Sequence, residues 1–180
     1  MITSEVARRY ARALVTAAER DGVTDQVEEG LHALAEAVSG HKALRQVLMN
    51  PRFSRPTRVQ MLERILASWG APPLVSKFAR LVVEKDRLAD LPAMALSYRE
   101  LADEKAGRVR ARVKSAFPLD AASAGQLRAK LAAMTGKQVL LEIEHDPGLI
   151  GGLVCRVGGV VMDGSIRSQL KNLREALTVK

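Results

Sequence analysis

The side chains able to hold a metal or move a proton are few in this chain and stand apart. His32, His41 and His145 are far from one another in sequence, and none has a Cys or carboxylate at metal-ligand spacing. Of the close carboxylate pairs, Glu28 with Glu29 falls on a helix surface, and Glu142 with Glu144 on one face of an alternating strand. Solvated faces account for both. Ser and Thr gather at helix starts, where capping explains them, and there is no G-x-S-x-G elbow. Gly148, Gly151, Gly152, Gly158 and Gly159 form neither G-x-G-x-x-G nor G-x-x-x-x-G-K-[ST], so a phosphate cradle is not expected. Cys155 is the one cysteine; it has no disulfide partner within the chain, and its place in a strand predicts a packed thiol in a reducing compartment. We therefore expect no catalytic residue, no metal site and no cofactor.

Charge points to a partner instead. The net charge is +8, and it is uneven: residues 1–107 hold 16 Lys and Arg against 14 Asp and Glu, residues 108–180 hold 12 against 6. Such a balance suits nucleic acid, anionic lipid or an acidic protein. Arg108, Arg110, Arg112 and Lys114 alternate with small or apolar residues, which puts all four charges on one face of a strand, and Arg156 could join them across a sheet. Sheets that bind single strands need aromatic stacking platforms, however. Aromatic residues are only 3% of the chain, and this half offers Phe117 alone. The basic strand reads as solvated or protein-facing, without nucleic acid as a partner.

The elements that position these residues follow from periodicity. With 180 residues and 47% hydrophobic content the chain can bury a real core, as one domain or two small ones. No run of about 18 apolar residues is present to span a membrane, and Met1-Ile2-Thr3-Ser4 runs into a charged amphipathic segment without an apolar leader. Residues 1–106 show helical periodicity only. Gly22, Gly40, Asn50-Pro51, Gly70, Asp86-Arg87 and Gly107 punctuate it into about six helices, predicted to pack as a bundle. After Gly107 the period changes to two. We expect a basic strand from Arg108, a helix capped by Asp120 with Ala124, Leu127, Leu131 and Met134 inward, and a strand from Gln138 to His145. A type II turn at Asp146-Pro147-Gly148 then reverses the chain into the next strand. That strand starts at Leu153, is interrupted by a bulge or close approach at Gly158-Gly159, and stops at Asp163-Gly164. Asp163 or Ser165 caps a last helix whose apolar stripe is Ile166, Leu170, Leu173 and Leu177. The fold class is α+β in two domains: a six-helix bundle over 1–106 and a small mixed α/β domain over 107–180.

Two helices are too apolar for one contact. With Tyr10 as zero, the first helix runs from Ala13 near about −60° through Val6, Ala17 and Leu14 to Val15 near about +140°, where a single core contact needs only about 100°. The fifth does the same from Leu81 through Val82 to Val83, with Phe78 as zero. One edge of each arc is expected in the core and the other at a groove able to take an amphipathic helix. We place the groove at the Ala13 and Leu81 edges.

Four stretches carry a family resemblance. Ala7-Arg8-Arg9-Tyr10-Ala11-Arg12-Ala13-Leu14, Phe78 to Leu91 (FARLVVEKDRLADL), Val113 to Leu119, and the whole run Asp146 to Leu177 resemble the delta subunit of F-type ATP synthase, called in mitochondria the oligomycin-sensitivity-conferring protein. The likeness departs at Lys85-Asp86, where the family often has a glycine. It implies a non-catalytic stator subunit, one copy per complex, that couples proton flow to ATP synthesis by resisting torque. It further implies that the bundle binds the N-terminal helix of an alpha subunit through Val6, Tyr10, Ala13, Leu14, Ala17, Phe78, Leu81 and Val82. The second domain would meet the peripheral-stalk b subunits through Gly158, Gly159, Ile166, Leu170 and Leu173. The chain would then reach the membrane only through the complex, on the cytoplasmic face of a bacterial inner membrane.

Overall fold

Apolar residues recurring every three or four positions produce six successive helices, and the computed structural model, which describes residues 5–178, shows them: α1 (Glu5–Asp21), α2 (Thr24–Gly40), α3 (Lys42–Met49), α4 (Arg55–Ser68), α5 (Pro73–Glu84) and α6 (Leu91–Lys105). Ser54 starts α4 by accepting a hydrogen bond from the Thr57 amide at 3.3 Å, with Pro56 in the first turn where its missing N–H costs nothing. The six helices share one core. It runs from Ala7, Ala11, Leu14, Val15 and Ala18 of α1 through Leu31, Leu34, Leu48, Leu62 and Leu66 to Phe78, Val82, Val83, Met94 and Tyr98. Tyr98 is wholly buried and donates to the Thr24 carbonyl oxygen at 3.0 Å, which satisfies its hydroxyl and ties α6 to the start of α2. Burial pushes that hydroxyl well above the ordinary phenol range.

A buried cation fastens the turn after α5. Arg58 on α4 donates to the Leu48 carbonyl oxygen at 3.2 Å and to Asp86 Oδ1 at 2.8 Å, while Arg55 donates to Asp86 Oδ2 at 2.7 Å. Among the described residues Asp86 is the one non-glycine with positive φ, 54°. Aspartate tolerates this left-handed backbone better than most residues. Two arginines hold its carboxylate in place.

The chain divides after Ala102 into two compact units, with the boundary in the last turn of α6. The second unit holds β1 (Arg108–Ser115), α7 (Ala121–Thr135), β2 (Gln138–His145), β3 (Leu153–Val157), β4 (Val160–Asp163) and α8 (Ile166–Thr178). Among the described residues, eight α-helices and a four-stranded sheet give a mixed α/β fold. The strand order is β2-β1-β3-β4; β1 lies parallel to β2, from Arg108 opposite Gln138 to Ser115 opposite His145, and antiparallel to β3. Ala111, Val113, Val139, Cys155 and Val157 form one buried face, closed by Leu127 and Leu131 of α7. Met134, expected inward, is exposed at the far end of that helix.

Three expectations about this sheet are corrected. The turn at Asp146 does not join neighbouring strands, since β1 lies between β2 and β3. It is a type I turn rather than type II: the Leu149 amide donates to the Asp146 carbonyl oxygen at 3.0 Å and Gly148 keeps a negative φ, because the Asp146 side chain accepts from the Gly148 amide at 2.9 Å. Gly158-Gly159 is not a bulge. Val157 pairs with Val160, so the two glycines are a two-residue hairpin loop, and the φ of +55° at Gly158 alone fits a type II′ turn.

Candidate interaction surfaces

The described residues contain no group of three or more His, Cys, Asp and Glu placed to hold a metal ion, and no helix long and apolar enough to cross a membrane. Cys155 is free and buried, and burial pushes its thiol upward, away from the reactive thiolate. The exposed apolar side chains among the described residues include two groups on the helices singled out by sequence.

The first is on α1 and α5. Their arcs split as a double-sided helix must: Val15 and Val83 are sealed in the core, while Ala13 is exposed and Leu81 is 41% exposed. Val6, Tyr10 and Ala17 lie half-buried between these limits. The rings of Tyr10 and Phe78 meet edge to face with centroids 6.4 Å apart, so the two helices join beneath the exposed edges. Phe78 is itself nearly covered. Leu14 and Val82, named with the partner residues, belong to the core: both fall about 40° from the reference ring on the inward side. They support this surface from below and do not form it.

The second lies in the α/β unit. Ile166 is 41% exposed, and Leu170 and Leu173 are each 57% exposed along one side of α8; Leu177 lies outside the described side chains. Ser165 starts this helix by accepting from the Ser168 amide at 3.3 Å, and Asp163 accepts from both the Ser165 amide and the Ser168 hydroxyl. Those bonds hold the Asp163 carboxyl below the usual range, the Ser168 hydroxyl contributing most. Gly158 and Gly159 are exposed at the tip of the β3–β4 hairpin beside the exposed Val160 and Val161.

The basic face of β1 is not an open cationic surface. Parallel pairing puts β2 beside it in register, so Arg112 meets Glu142 at 3.2 Å and Arg110 meets it at 3.6 Å. Lys114 lies 3.5 Å from Glu144 and 3.7 Å from Asp146. The carboxylate pair on β2 serves to neutralise its neighbour strand.

Gly151 and Gly152 position α8 and were not distinguished from the other glycines by sequence. A Cβ on Gly152, at φ +79°, would lie 2.3 Å from the Gly164 carbonyl oxygen, and one on Gly151 would lie 2.4 Å from Ile166 Cδ1. The Ile166 amide donates to the Gly151 carbonyl oxygen at 3.0 Å. Their spacing before β3 carries no signal of this, because the atoms they make room for come more than ten residues later.

The family model described as ATP synthase delta (OSCP) subunit matches residues 6–177. The chain is 40% identical over 179 residues to ATP synthase subunit delta of Myxococcus xanthus (strain DK1622), covering 98% of each protein. It is 42% identical over 177 residues to the protein of that name from Anaeromyxobacter sp. (strain Fw109-5), covering 98% of this chain and 99% of that one. Its fold matches a chain in the cryo-EM structure of the Toxoplasma gondii mitochondrial ATP synthase hexamer with a TM-score of 0.73 at 22% identity, over 98% of this chain and 99% of that chain.

Proposed function

This chain belongs to the ATP synthase delta (OSCP) subunit family, non-catalytic components of the peripheral stalk, and from that premise we propose that it links the catalytic head to the stalk through two separate surfaces. Residues 1–106 act as a six-helix bundle that receives the N-terminal helix of an alpha subunit along α1 and α5. Residues 107–180 act as a domain that meets the b subunits through α8 and the β3–β4 hairpin. One copy serves each complex, on the cytoplasmic face of a bacterial inner membrane. A linkage of this kind resists the torque of rotation, so it needs extended, slowly dissociating contacts and no reactive group.

The observation that carries the reading is the division of the two apolar arcs, with Val6, Tyr10, Ala13, Ala17 and Leu81 left at the surface of helices whose other faces are already packed. Ala13 and Ala17 are small enough for close approach, and Tyr10 offers a broad apolar ring with a polar tip. Ala13→Asp puts a charge against an apolar partner, and losing a desolvated central contact costs about 2 kcal/mol, roughly thirtyfold in affinity. Titration of the full chain with a synthetic alpha N-terminal peptide checks this, with helical content and melting measured alongside. Unchanged affinity in a folded Ala13→Asp protein rejects this groove.

For the stalk surface, Leu170→Glu with Leu173→Glu removes apolar contact area while leaving the sheet and its core untouched. We expect at least a tenfold loss of affinity for the soluble part of the b subunits, about 1.4 kcal/mol, with alpha-peptide binding unchanged. Full retention of stalk binding would move this interface elsewhere.

A further inference from the structure

Both exposed apolar edges of the helical unit are bordered by basic side chains. On α1, Arg9 lies one step outside Ala13, near about −100° when Tyr10 is zero; on α5, Lys77 holds the matching place outside Leu81 when Phe78 is zero. Arg9 stands one turn from both Val6 and Ala13, and Lys77 one turn from both Leu74 and Leu81. Both are exposed, and neither has an ion pair among the described residues. Arg20, on the same flank of α1, is engaged with Asp21; on α5 Arg80 is engaged with Glu84 and Glu63, and the exposed Lys85 lies one turn beyond Leu81. Beyond Arg9 the same flank continues into Arg12 and Arg8, and a concavity of about 680 Å³ is lined by Glu5, Val6, Arg8, Arg9 and Arg12. Three arginines there face a single carboxylate.

We propose that the helix received along α1 and α5 carries acidic residues on both shoulders of its apolar stripe, and that Arg9 and Lys77 pair with them. The inference rests on the groove proposed above and specifies what that groove recognises. An apolar stripe alone would let the partner helix slide or reverse along the groove. Charges at the rim add little affinity in high dielectric, but they speed encounter and penalise the wrong register. A helix with basic shoulders would meet like charges on both sides and be rejected.

The test titrates the full chain with the synthetic alpha N-terminal peptide and with a peptide of the same composition in scrambled order. The double variant Arg9→Glu, Lys77→Glu should keep its helical content, since both side chains are exposed and neither has an ion pair among the described residues. Its Kd should rise about tenfold at low salt. That difference should vanish near 1 M salt, where screening acts over about 3 Å. Replacing the peptide's acidic residues by Lys should restore binding to the double variant and weaken binding to the unchanged protein. Equal affinities for both proteins at low salt overturn the inference and leave the apolar groove standing. Equal binding of the scrambled peptide also overturns it, by showing charge attraction without recognition. No binding of the alpha peptide to the unchanged protein overturns both readings.

Discussion

Gly152→Ala is expected to unfasten α8 and the start of β3, at a cost of about 3 kcal/mol. The new Cβ would meet the Gly164 carbonyl oxygen at 2.3 Å and Ser165 Cα at 3.0 Å, and these are backbone atoms that no rotamer change can move aside. A non-glycine residue at φ +79° carries strain of about 1–3 kcal/mol in its own right. Relief by a shift of the chain would lengthen three bonds that converge there: Gly164 amide to the Leu153 carbonyl oxygen, Ile166 amide to that of Gly151, and Ala116 amide to that of Gly152. Each contributes about 1 kcal/mol. The only tryptophan, Trp69, is in the first unit, so its fluorescence would not report this event. Amide hydrogen exchange along β1 and β3 would, as a loss of protection confined to the second unit. Gly159→Ala is the control. Nothing lies within 4 Å of its Cβ position, and the effect should stay within about 0.5 kcal/mol. Equal protection in the two variants would disprove the account.

Arg58→Ala should destabilise the helical unit by about 3 kcal/mol. It leaves the Leu48 carbonyl oxygen without its donor and withdraws one of the two cations holding Asp86 at positive φ. An interior acceptor left without its donor costs about 1–3 kcal/mol, and loss of the charge-assisted bond to Asp86, which Arg55 still holds, places this case at the high end. Urea denaturation followed by Trp69 fluorescence measures it, the reporter being the C-cap of α4 itself. The pH dependence has a definite sign. Hydrogen bonds from Arg58 first and Arg55 second hold the Asp86 carboxyl below the ordinary range. A depressed folded pKa stabilises above the unfolded value of about 3.9, and that contribution disappears as pH falls through the folded value. The gap between Arg58→Ala and the unchanged protein should therefore narrow in acid below that range. A gap that widens there would show that Asp86 is not the group involved.

The helices were legible because their limits are written locally. Gly22, Gly40, Pro56, Pro73 and Gly107 act within one or two residues of themselves, so the first and last turns follow from neighbours in sequence. The double-sided nature of α1 and α5 was also local, since an arc of apolar residues wider than one contact can be counted directly. The outward edge is placed at Ala13 and Leu81 on side-chain size alone, and it is burial in the fold that separates exposed Ala13 from buried Val15. Strand order was not legible. Nothing in Asp146-Pro147-Gly148 reveals that the strand after it pairs with β1, and Glu142 and Glu144 gain their meaning only when the parallel register brings Arg112 and Lys114 alongside. Gly158-Gly159 has the chemistry of a two-residue hairpin loop, but the four residues of β4 are too few to show alternation by themselves. Gly151 and Gly152 are the extreme case, with a requirement set entirely by Gly164 to Ile166.

The alternating charges of β1 also bear on what happens while the chain is being made. The core residues of α1–α6 are all in place once Ala102 has left the ribosome. β1 follows at once, yet its parallel partner begins at Gln138, thirty positions later, and its antiparallel partner later still. During that interval it is a bare strand with Val109, Ala111 and Val113 uncovered, the kind of segment that pairs with copies of itself on neighbouring nascent chains. Arg108, Arg110, Arg112 and Lys114 guard against this. Two copies of β1 laid side by side would set like charges opposite one another along a whole face, which opposes pairing. β2 arrives with Glu142 and Glu144 at the positions that face Arg112 and Lys114, so the row of charge that repels a second β1 favours its parallel partner.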